Sequence, residues 1–358
     1  MNLHIVPDSK FSSTFIDNLE ELNLGDNNKI VVRTNGPSLK YVKRSVPFGK
    51  LYSTTLQKVI GDTEQYDAVF IHQFSPLMYR WVARNNFRKL KWMVWGADLY
   101  NLPFVKFNPY ERLTLKFQNR FRWRSDWLYL AKVYATNMLY KDAAYNKINS
   151  VLTWMKSEYE FARQEIRSLN ADHEFFFYEN QIPYQQLDRL ATAQETTPGY
   201  ILGNSGTPTN NHLDALAALK SQAVNSDLHI PVSYGDRPYI EYFRGHAPDY
   251  YTGNLSFIDK LMPFEEYVQF LAGTSGLILH HLRPQGYGNI FMMMYLGKPV
   301  FLNPANISLK DLTDNGLVWY PITSVGRDVE PARTLNREAL IKLFSHDRLQ
   351  TLYHGMFS

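Results

Sequence analysis

Gly199-Tyr200-Ile201-Leu202-Gly203-Asn204-Ser205-Gly206-Thr207 is a short apolar run that ends in small polar residues. It predicts a buried strand over Tyr200–Gly203, a Gly/Ser/Thr turn, and a helix over Asn210–Gln222. A strand that passes through such a turn into a helix makes an anion cradle, because free backbone N–H groups and the positive helix end face one spot. Read alone, the turn is equally well a strand-to-helix connection capped by Ser or Thr. Its place past residue 198 points to a second α/β half that binds a phosphate.

Outward from that turn, apolar β-type runs alternate with amphipathic stretches. Beyond it, strands are expected over Leu228–Val232, Leu255–Ile258, Gly276–His280 and Val300–Asn303. Helices are expected over Pro238–His246, Pro263–Gly273, Asn289–Leu296 and Ser308–Asn315. Before it, the expected strands are Leu3–Val6, Ile30–Arg33, Ala68–His72, Trp92–Trp95, Ser150–Thr153 and Glu174–Phe177. The helices of that half are Ser12–Leu22, Leu77–Asn85, Pro109–Leu130 and Lys156–Ser168. Such alternation implies mostly parallel sheets covered on both faces, with ligands at the carboxyl ends of the strands. The polar stretch Pro183–Pro198 reads as a linker. The expected fold is therefore α/β and GT-B-like, two doubly wound Rossmann-like domains facing across a cleft. They span 1–185 and 199–336, and the segment 337–358 packs back on the first.

Composition sets outer limits. The 358 residues suffice for two domains, and 45% apolar residues supply two cores. A net charge of +4 argues against a bulk nucleic-acid binder. The absence of cysteine removes disulfides, thiolate metal sites and a Cys nucleophile, and fits a cytoplasmic protein. The first residues, Met1-Asn2-Leu3-His4-Ile5-Val6-Pro7-Asp8, lack the pattern of a signal peptide. No run approaches the roughly 18 apolar residues of a membrane span. The sequons at Asn254 and Asn306 read as chance. Metal ligation is not indicated: there is no Asp-x-Asp pair, and His280-His281 lacks helical metal spacing.

Four constellations carry possible chemistry. The first is the turn itself, Gly203, Asn204, Ser205, Gly206 and Thr207. The second is His281-Leu282-Arg283-Pro284-Gln285-Gly286-Tyr287-Gly288-Asn289. Its glycines after a buried strand admit a close ligand, the helix near Asn289 aims N–H groups at the same crevice, and Arg283 offers a fixed charge. The third is Trp95-Gly96-Ala97-Asp98-Leu99-Tyr100, which delivers Asp98 to a sheet edge as a general base or as a turn aspartate. His72 and Asp8, at the ends of two other strands, are alternative bases. The fourth is Phe104–Lys132, where Lys106, Arg112, Lys116, Arg120, Arg122, Arg124 and Lys132 are interleaved with Phe107, Phe117, Phe121, Trp123, Trp127 and Tyr129. A basic aromatic helix fits a membrane surface or an anionic headgroup; the plainer reading is a core helix with a solvated face.

These pieces together resemble glycosyltransferase family 56, the TDP-N-acetylfucosamine:lipid II N-acetylfucosaminyltransferases of enterobacterial common antigen synthesis. The matching residues are Trp95–Tyr100, Gly203–Gly206 with Asn211-His212, Val232 to Tyr234 with Tyr239-Ile240-Glu241, Phe264 and Tyr267, Gln285-Gly286 with Gly288, and Gly297, Pro299 and Asn303. They follow the family's order, while the basic helix region and the C-terminus match poorly.

The resemblance implies an acceptor-binding first domain and a second domain that holds a nucleotide sugar. The acceptor would be a polyprenyl-diphosphate-linked saccharide. By motif match, Gly203, Asn204 and Ser205 contact the donor diphosphate, beside Gln285, Gly286 and Gly288. Gly206, Thr207, Tyr234, Arg283 and Asn289 complete the expected donor site, and Asp98 is the expected base. Many GT-B enzymes carry a ribose-binding Glu where this chain has Phe291-Met292-Met293-Met294, which is consistent with a thymidine diphosphate donor or with ribose bound elsewhere.

The expected activity is metal-independent transfer of a deoxy or deoxyamino sugar such as N-acetylfucosamine to a lipid-linked acceptor in cell-envelope polysaccharide synthesis. Lys116, Arg120, Arg122, Trp123, Arg124 and Trp127 would dock it as a peripheral protein on the inner face of the cytoplasmic membrane. Two alternatives are a nucleotide-sugar epimerase or hydrolase of the same fold, which needs no acceptor, and a non-catalytic nucleotide-sugar-binding protein.

Overall fold

The computed structural model describes residues 1–121, 137–178, 182–190, 197–330 and 332–358, with the backbone alone at 120 and 121. The chain divides into two compact units. One comprises Met1–Phe107, Ser125–Asn180 and His346–Ser358, the other Asn108–Arg124 and Gln181–Ser345.

The first unit is built on seven parallel strands: β1 (Asn2–Pro7), β2 (Asn28–Arg33), β3 (Phe48–Gly49), β4 (Val69–His72), β5 (Leu90–Met93), β6 (Ser150–Leu152) and β7 (Asp172–Glu174). Their order is β3-β2-β1-β4-β5-β6-β7. The central strands are buried along almost their whole length, so they read as unbroken apolar runs and not as alternating ones. The helix Lys10–Glu21 starts on Ser9, whose side chain accepts from the Ser12 N–H, and it buries Phe15, Ile16 and Leu19. The helix His346–Phe357 buries Leu349, Tyr353 and Phe357, one residue in every four, in the same unit.

The second unit holds six parallel strands: β8 (Tyr200–Leu202), β9 (Leu228–Pro231), β10 (Leu255–Ile258), β11 (Gly276–Leu279), β12 (Val300–Leu302) and β13 (Tyr320–Pro321). Their order is β10-β9-β8-β11-β12-β13. β8 and β11 are neighbours although two strands separate them in sequence, so the strand order reverses between them. In open parallel sheets the ligand crevice lies at that reversal, outside the carboxyl ends of the strands. The two loops singled out in the sequence follow β8 and β11, one on each side of it.

Several boundaries differ from expectation. The strand expected over Trp92–Trp95 is Leu90–Met93, because Asp98 accepts the Trp95 N–H and turns the chain into the short helix Ala97–Tyr100. Part of the expected linker is the helix Tyr184–Leu190, with Leu187 buried. The expected helix Pro109–Leu130 is described as Arg112–Phe121 and groups with the second unit, not the first. The cause is local: both Asp214 oxygens accept from its first turn, through Leu113 N, Thr114 N and Thr114 Oγ1, and Phe117 packs on Tyr239 and Tyr242. At the C-terminal end the helix Arg333–Leu343 stays with the second unit, and only His346–Ser358 joins the first.

Candidate functional site

The turn after β8 is knitted together by Asn210. Its Oδ1 accepts from the Asn204 backbone N–H at 2.9 Å and from His281 Nε2 at 2.9 Å. Its Nδ2 donates to Ser205 Oγ, to the Thr207 carbonyl and to Thr207 Oγ1. Gly203 sits at φ +78°, and a Cβ there would lie 2.4 Å from His212 Nε2, so the strand can leave the sheet here only as glycine.

The loop after β11 reaches across to the same turn. Gln285 Nε2 donates to Asn204 Oδ1 and Thr207 Oγ1, and Gln285 Oε1 accepts from Thr209 Oγ1 at 2.6 Å. Gln285 therefore ties the two loops, which spends both hydrogen-bonding ends of its amide on the protein. Gly286, at φ +72°, caps the helix Tyr287–Tyr295 without a capping side chain, so the N–H groups of Tyr287, Gly288 and Asn289 have no intrahelical acceptor. Asn204 lies against that helix start: a Cβ on Gly286 would come within 3.3 Å of Asn204 Cγ. Tyr234, 55% exposed, covers the turn by donating its hydroxyl to the Asn204 carbonyl at 3.1 Å.

The expected donor residues thus fall into two groups. Asn204, Tyr234, Gly286, Gly288 and Asn289 gather around the uncapped helix start, and half-buried Arg283 sits on the same loop. Ser205 and Gly206 face inward. Ser205 is 2% exposed, and Gly206 hydrogen-bonds the Tyr234 carbonyl and packs on Ile240. Thr207 is turned to Ser205, Asn210 and Gln285. The helix after Gly286 buries Phe291, Met292, Met293 and Met294 and presents no carboxylate.

The three histidines beneath the site are uncharged. Burial holds His280 at about 4 and His212 at about 3, and burial with the nearby Arg283 charge holds His281 at about 3. The adjacent His280 and His281 diverge, as expected for neighbours on an extended chain. His281 meets Asn210, while His280 Nε2 lies 3.2 Å from Asn303 Nδ2 after β12. Asn303 Nδ2 also donates to Glu111 Oε1 at 3.1 Å. Among the described residues no group of three His, Asp or Glu side chains is arranged to hold a metal ion.

In the first unit the three candidate bases are all engaged. Asp98 is 4% exposed; Oδ2 accepts from Phe74 N and Trp92 Nε1 at 2.8 and 2.7 Å, and Oδ1 accepts from Trp95 N. Burial raises its pKa against the pull of those N–H bonds. His72 is fully buried between His4 and Tyr178. Asp8 accepts from the Lys40, Tyr41 and Val42 N–H groups; desolvation pushes its pKa up, but these bonds and the Lys43 charge together outweigh it and lower the pKa. Each of the three is tied into the fold, His72 out of reach of any solute.

Of the basic aromatic segment, Phe117 is core, Lys116 is exposed, and Phe104 and Lys106 line a groove of about 720 Å³ in the first unit with Lys141 and Arg167. The Arg120 side chain and Arg122, Trp123, Arg124 and Trp127 lie outside the described residues.

The model of the 4-alpha-L-fucosyltransferases, glycosyl transferase group 56, matches residues 30–351 of this chain. The chain belongs to that family. Solved structures similar to this group 56 glycosyltransferase share its whole length but little of its sequence. Sucrose-phosphate synthase from Thermosynechococcus elongatus superposes with a TM-score of 0.61 at 12% identity, covering 100% of this chain and 99% of its own. The UDP-forming alpha,alpha-trehalose-phosphate synthase from Burkholderia vietnamiensis gives 0.61 at 6%, covering 100% and 98%. Anabaena HepE, solved in complex with UDP and glucose, gives 0.58 at 13%, covering 99% and 98%. These likenesses establish the GT-B fold, and the family establishes a glycosyltransferase that takes a nucleotide-sugar donor.

Sequence reasoning singled out both loops but, Gln285 apart, not the side chains that fasten them to each other. Asn210, Thr209 and Asp214 stood inside or beside the quoted turn with no spacing rule to mark them. Glu111 and Asn303 are brought together from positions 192 apart.

Proposed function

We propose that this enzyme transfers a deoxyamino sugar, N-acetylfucosamine in the favoured reading, from a thymidine diphosphate donor to a polyprenyl-diphosphate-linked saccharide in cell-envelope polysaccharide synthesis. The observation that carries the donor half is the uncapped start of the helix Tyr287–Tyr295 with Asn204 set against it. The Asn204 amide and the N–H groups of Gly288 and Asn289, which have no intrahelical acceptor, form a neutral donor set for a departing diphosphate. Fixed donors that need no reorganisation stabilise leaving-group charge without a metal ion. The carboxylate-free helix 287–295 is compatible with a nucleoside lacking the 2′-hydroxyl, as it is with a ribose bound elsewhere.

The first unit takes the acceptor in this reading. The groove lined by Lys106, Lys141, Arg167 and the Phe104 ring, with Asp142 and Glu165 also in its walls, is the seat this reading gives a lipid-linked diphosphate at the inner face of the cytoplasmic membrane. Asp98, with both oxygens already accepting N–H bonds, acts here by holding the sheet edge in shape. A direct proton transfer to it requires that one of those bonds open.

A thermal-shift series with TDP, UDP and GDP, each without added metal, tests the donor assignment. Ligand at 100 times its dissociation constant adds about 2.7 kcal/mol of stability. A shift with TDP that UDP and GDP do not give is expected, and indifference to all three removes the reading. Transfer to a polyprenyl-diphosphate disaccharide, against hydrolysis of the donor alone, separates the transferase from an acceptor-independent enzyme.

A further inference from the structure

A second polar cluster stands beside the diphosphate cradle at the ends of β11 and β12. Asn303 is its centre. Its Oδ1 accepts from the Ala305 N–H at 2.9 Å, which fixes the amide, so both Nδ2 hydrogens face the cluster. One goes to Glu111 Oε1 at 3.1 Å and the other to His280 Nε2 at 3.2 Å. His280 therefore accepts at Nε2 and carries its proton on Nδ1. That Nδ1 is buried and has no hydrogen-bond partner, and the residue is only 7% exposed.

The Glu111 side chain is 35% exposed. Its Oε1 is committed to Asn303, and its Oε2 makes no hydrogen bond to the described residues. Neutral His280 adds no positive charge at 3.9 Å to pair it. The result is a carboxylate held at one oxygen by a neutral donor and open at the other. Such a group repels a phosphate and accepts from a hydroxyl.

Its place relative to the cradle follows from one residue. Asn211 Oδ1 accepts the Glu111 backbone N–H at 2.9 Å, and Asn211 Nδ2 donates to the carbonyls of His280 and Pro109, each at 3.1 Å. Its chain neighbour Asn210 is the hub of the cradle, and consecutive Cα atoms are about 3.8 Å apart. The Glu111 backbone is thus fastened one residue along the chain from the hub of the cradle.

We infer that Glu111 is a specificity-determining residue that accepts a hydroxyl of the hexose carried by the nucleotide sugar, with Asn303 and His280 orienting it. The inference rests on the donor-site reading above. It also gives a reason for the segment after Asn108 to be anchored in the second unit: the anchor delivers Glu111 to the sheet edge.

Calorimetric dissociation constants for TDP and for TDP-N-acetylfucosamine, on wild type and on Glu111→Gln, test it. Wild type should bind the sugar nucleotide more tightly than TDP. Glu111→Gln should weaken the sugar nucleotide about tenfold or more and leave TDP within about twofold, since a bond to a charged acceptor is lost only where the sugar is present. Equal weakening of both ligands makes Glu111 a scaffold residue and overturns the inference, as does no change in either. Wild type that binds neither nucleotide overturns the donor reading and this inference with it. Should Glu111→Gln not fold, Glu111→Asp keeps the charge and shortens the reach, and the same two constants decide.

Discussion

His72 donates through Nε2 to Nδ1 of His4, 3.2 Å away, and the direction of that bond is forced from a distance. Asn28 donates its Nδ2 to the carbonyls of Leu24 and Phe357, so its Oδ1 must accept from His4 Nε2. His4 Nδ1 is then the acceptor for His72, and His72 Nδ1 accepts in turn from the Tyr178 hydroxyl, which accepts from Trp95 Nε1. Five side chains thus carry their protons in one sense through the core of the first unit, and both imidazoles are neutral. Burial lowers His4 to about 3 and puts His72 well below the usual range.

Acid should therefore unfold this enzyme early. His4, His72, His212, His280 and His281 all have folded pKa values below the unfolded value of about 6.5. The unfolded chain binds protons that the folded one refuses, so stability is full above pH 6.5 and falls as the pH drops toward 3 to 4. Each histidine adds a slope of about 1.4 kcal/mol per pH unit in that window. Urea midpoints at pH 7, 6 and 5 should decline with increasing steepness; a flat series contradicts the burial of the set.

Asp98→Asn should cost stability as well as activity. Phe74 N and Trp92 Nε1 point at one oxygen and Trp95 N at the other, so an amide nitrogen in either position meets a donor. An unmet buried donor costs about 1–3 kcal/mol. The unfolding midpoint should fall by that order, and a variant inactive at unchanged stability would instead give Asp98 a direct chemical role.

Asn210→Ala should loosen the cradle without touching the ligand. It strands the Asn204 N–H and the His281 Nε2–H, and removes the donors to Ser205 and Thr207. A loss of about 2 kcal/mol or more is expected, with nucleotide affinity reduced in the folded fraction. Nucleotide titration calorimetry alongside urea denaturation reads both.

Gly203→Ala and Gly288→Ala should separate fold from binding. The first forces a Cβ to 2.4 Å from His212 Nε2 at φ +78° and should prevent the second unit from folding. The second places a methyl where nothing lies within 4 Å, at a helix start, and should leave the melting temperature unchanged or slightly higher. In the proposed donor site that methyl stands in open space at the helix start that would hold the diphosphate, so TDP binding should weaken while the fold holds.

The sequence was legible where local pattern decides structure. Every strand of four or more residues was anticipated within two residues at each end, because apolar runs bounded by turn residues mark buried parallel strands. β3 and β13, two residues each, carry no period and passed unseen. The middle of the basic aromatic segment, Asn108–Arg124, groups with the second unit although the sequence places it in the first, because aromatics declare burial but not the partner: Phe117 rests on Tyr239, and Asp214 caps the helix from 100 residues away. At the site, Gly203 and Gly286 announced the two loops, whereas Asn210, Glu111 and Asn303 act through pairings that exist only once β8, β11 and β12 lie side by side. Asp98 was found for its position at a sheet edge, and its saturation with N–H donors was beyond any spacing argument.

The return of His346–Phe357 to the first unit sets an order of assembly during synthesis. Phe357 contributes its carbonyl to Asn28 and its ring to a cluster with His4, Phe15 and Phe70. A ribosome that has released residue 345 has delivered all of the second unit, while the earlier-made first unit still lacks the wall of its core. The half synthesised first is thus the half completed last. Until Phe357 emerges, the ring cluster of His4, Phe15 and Phe70 lacks its fourth member.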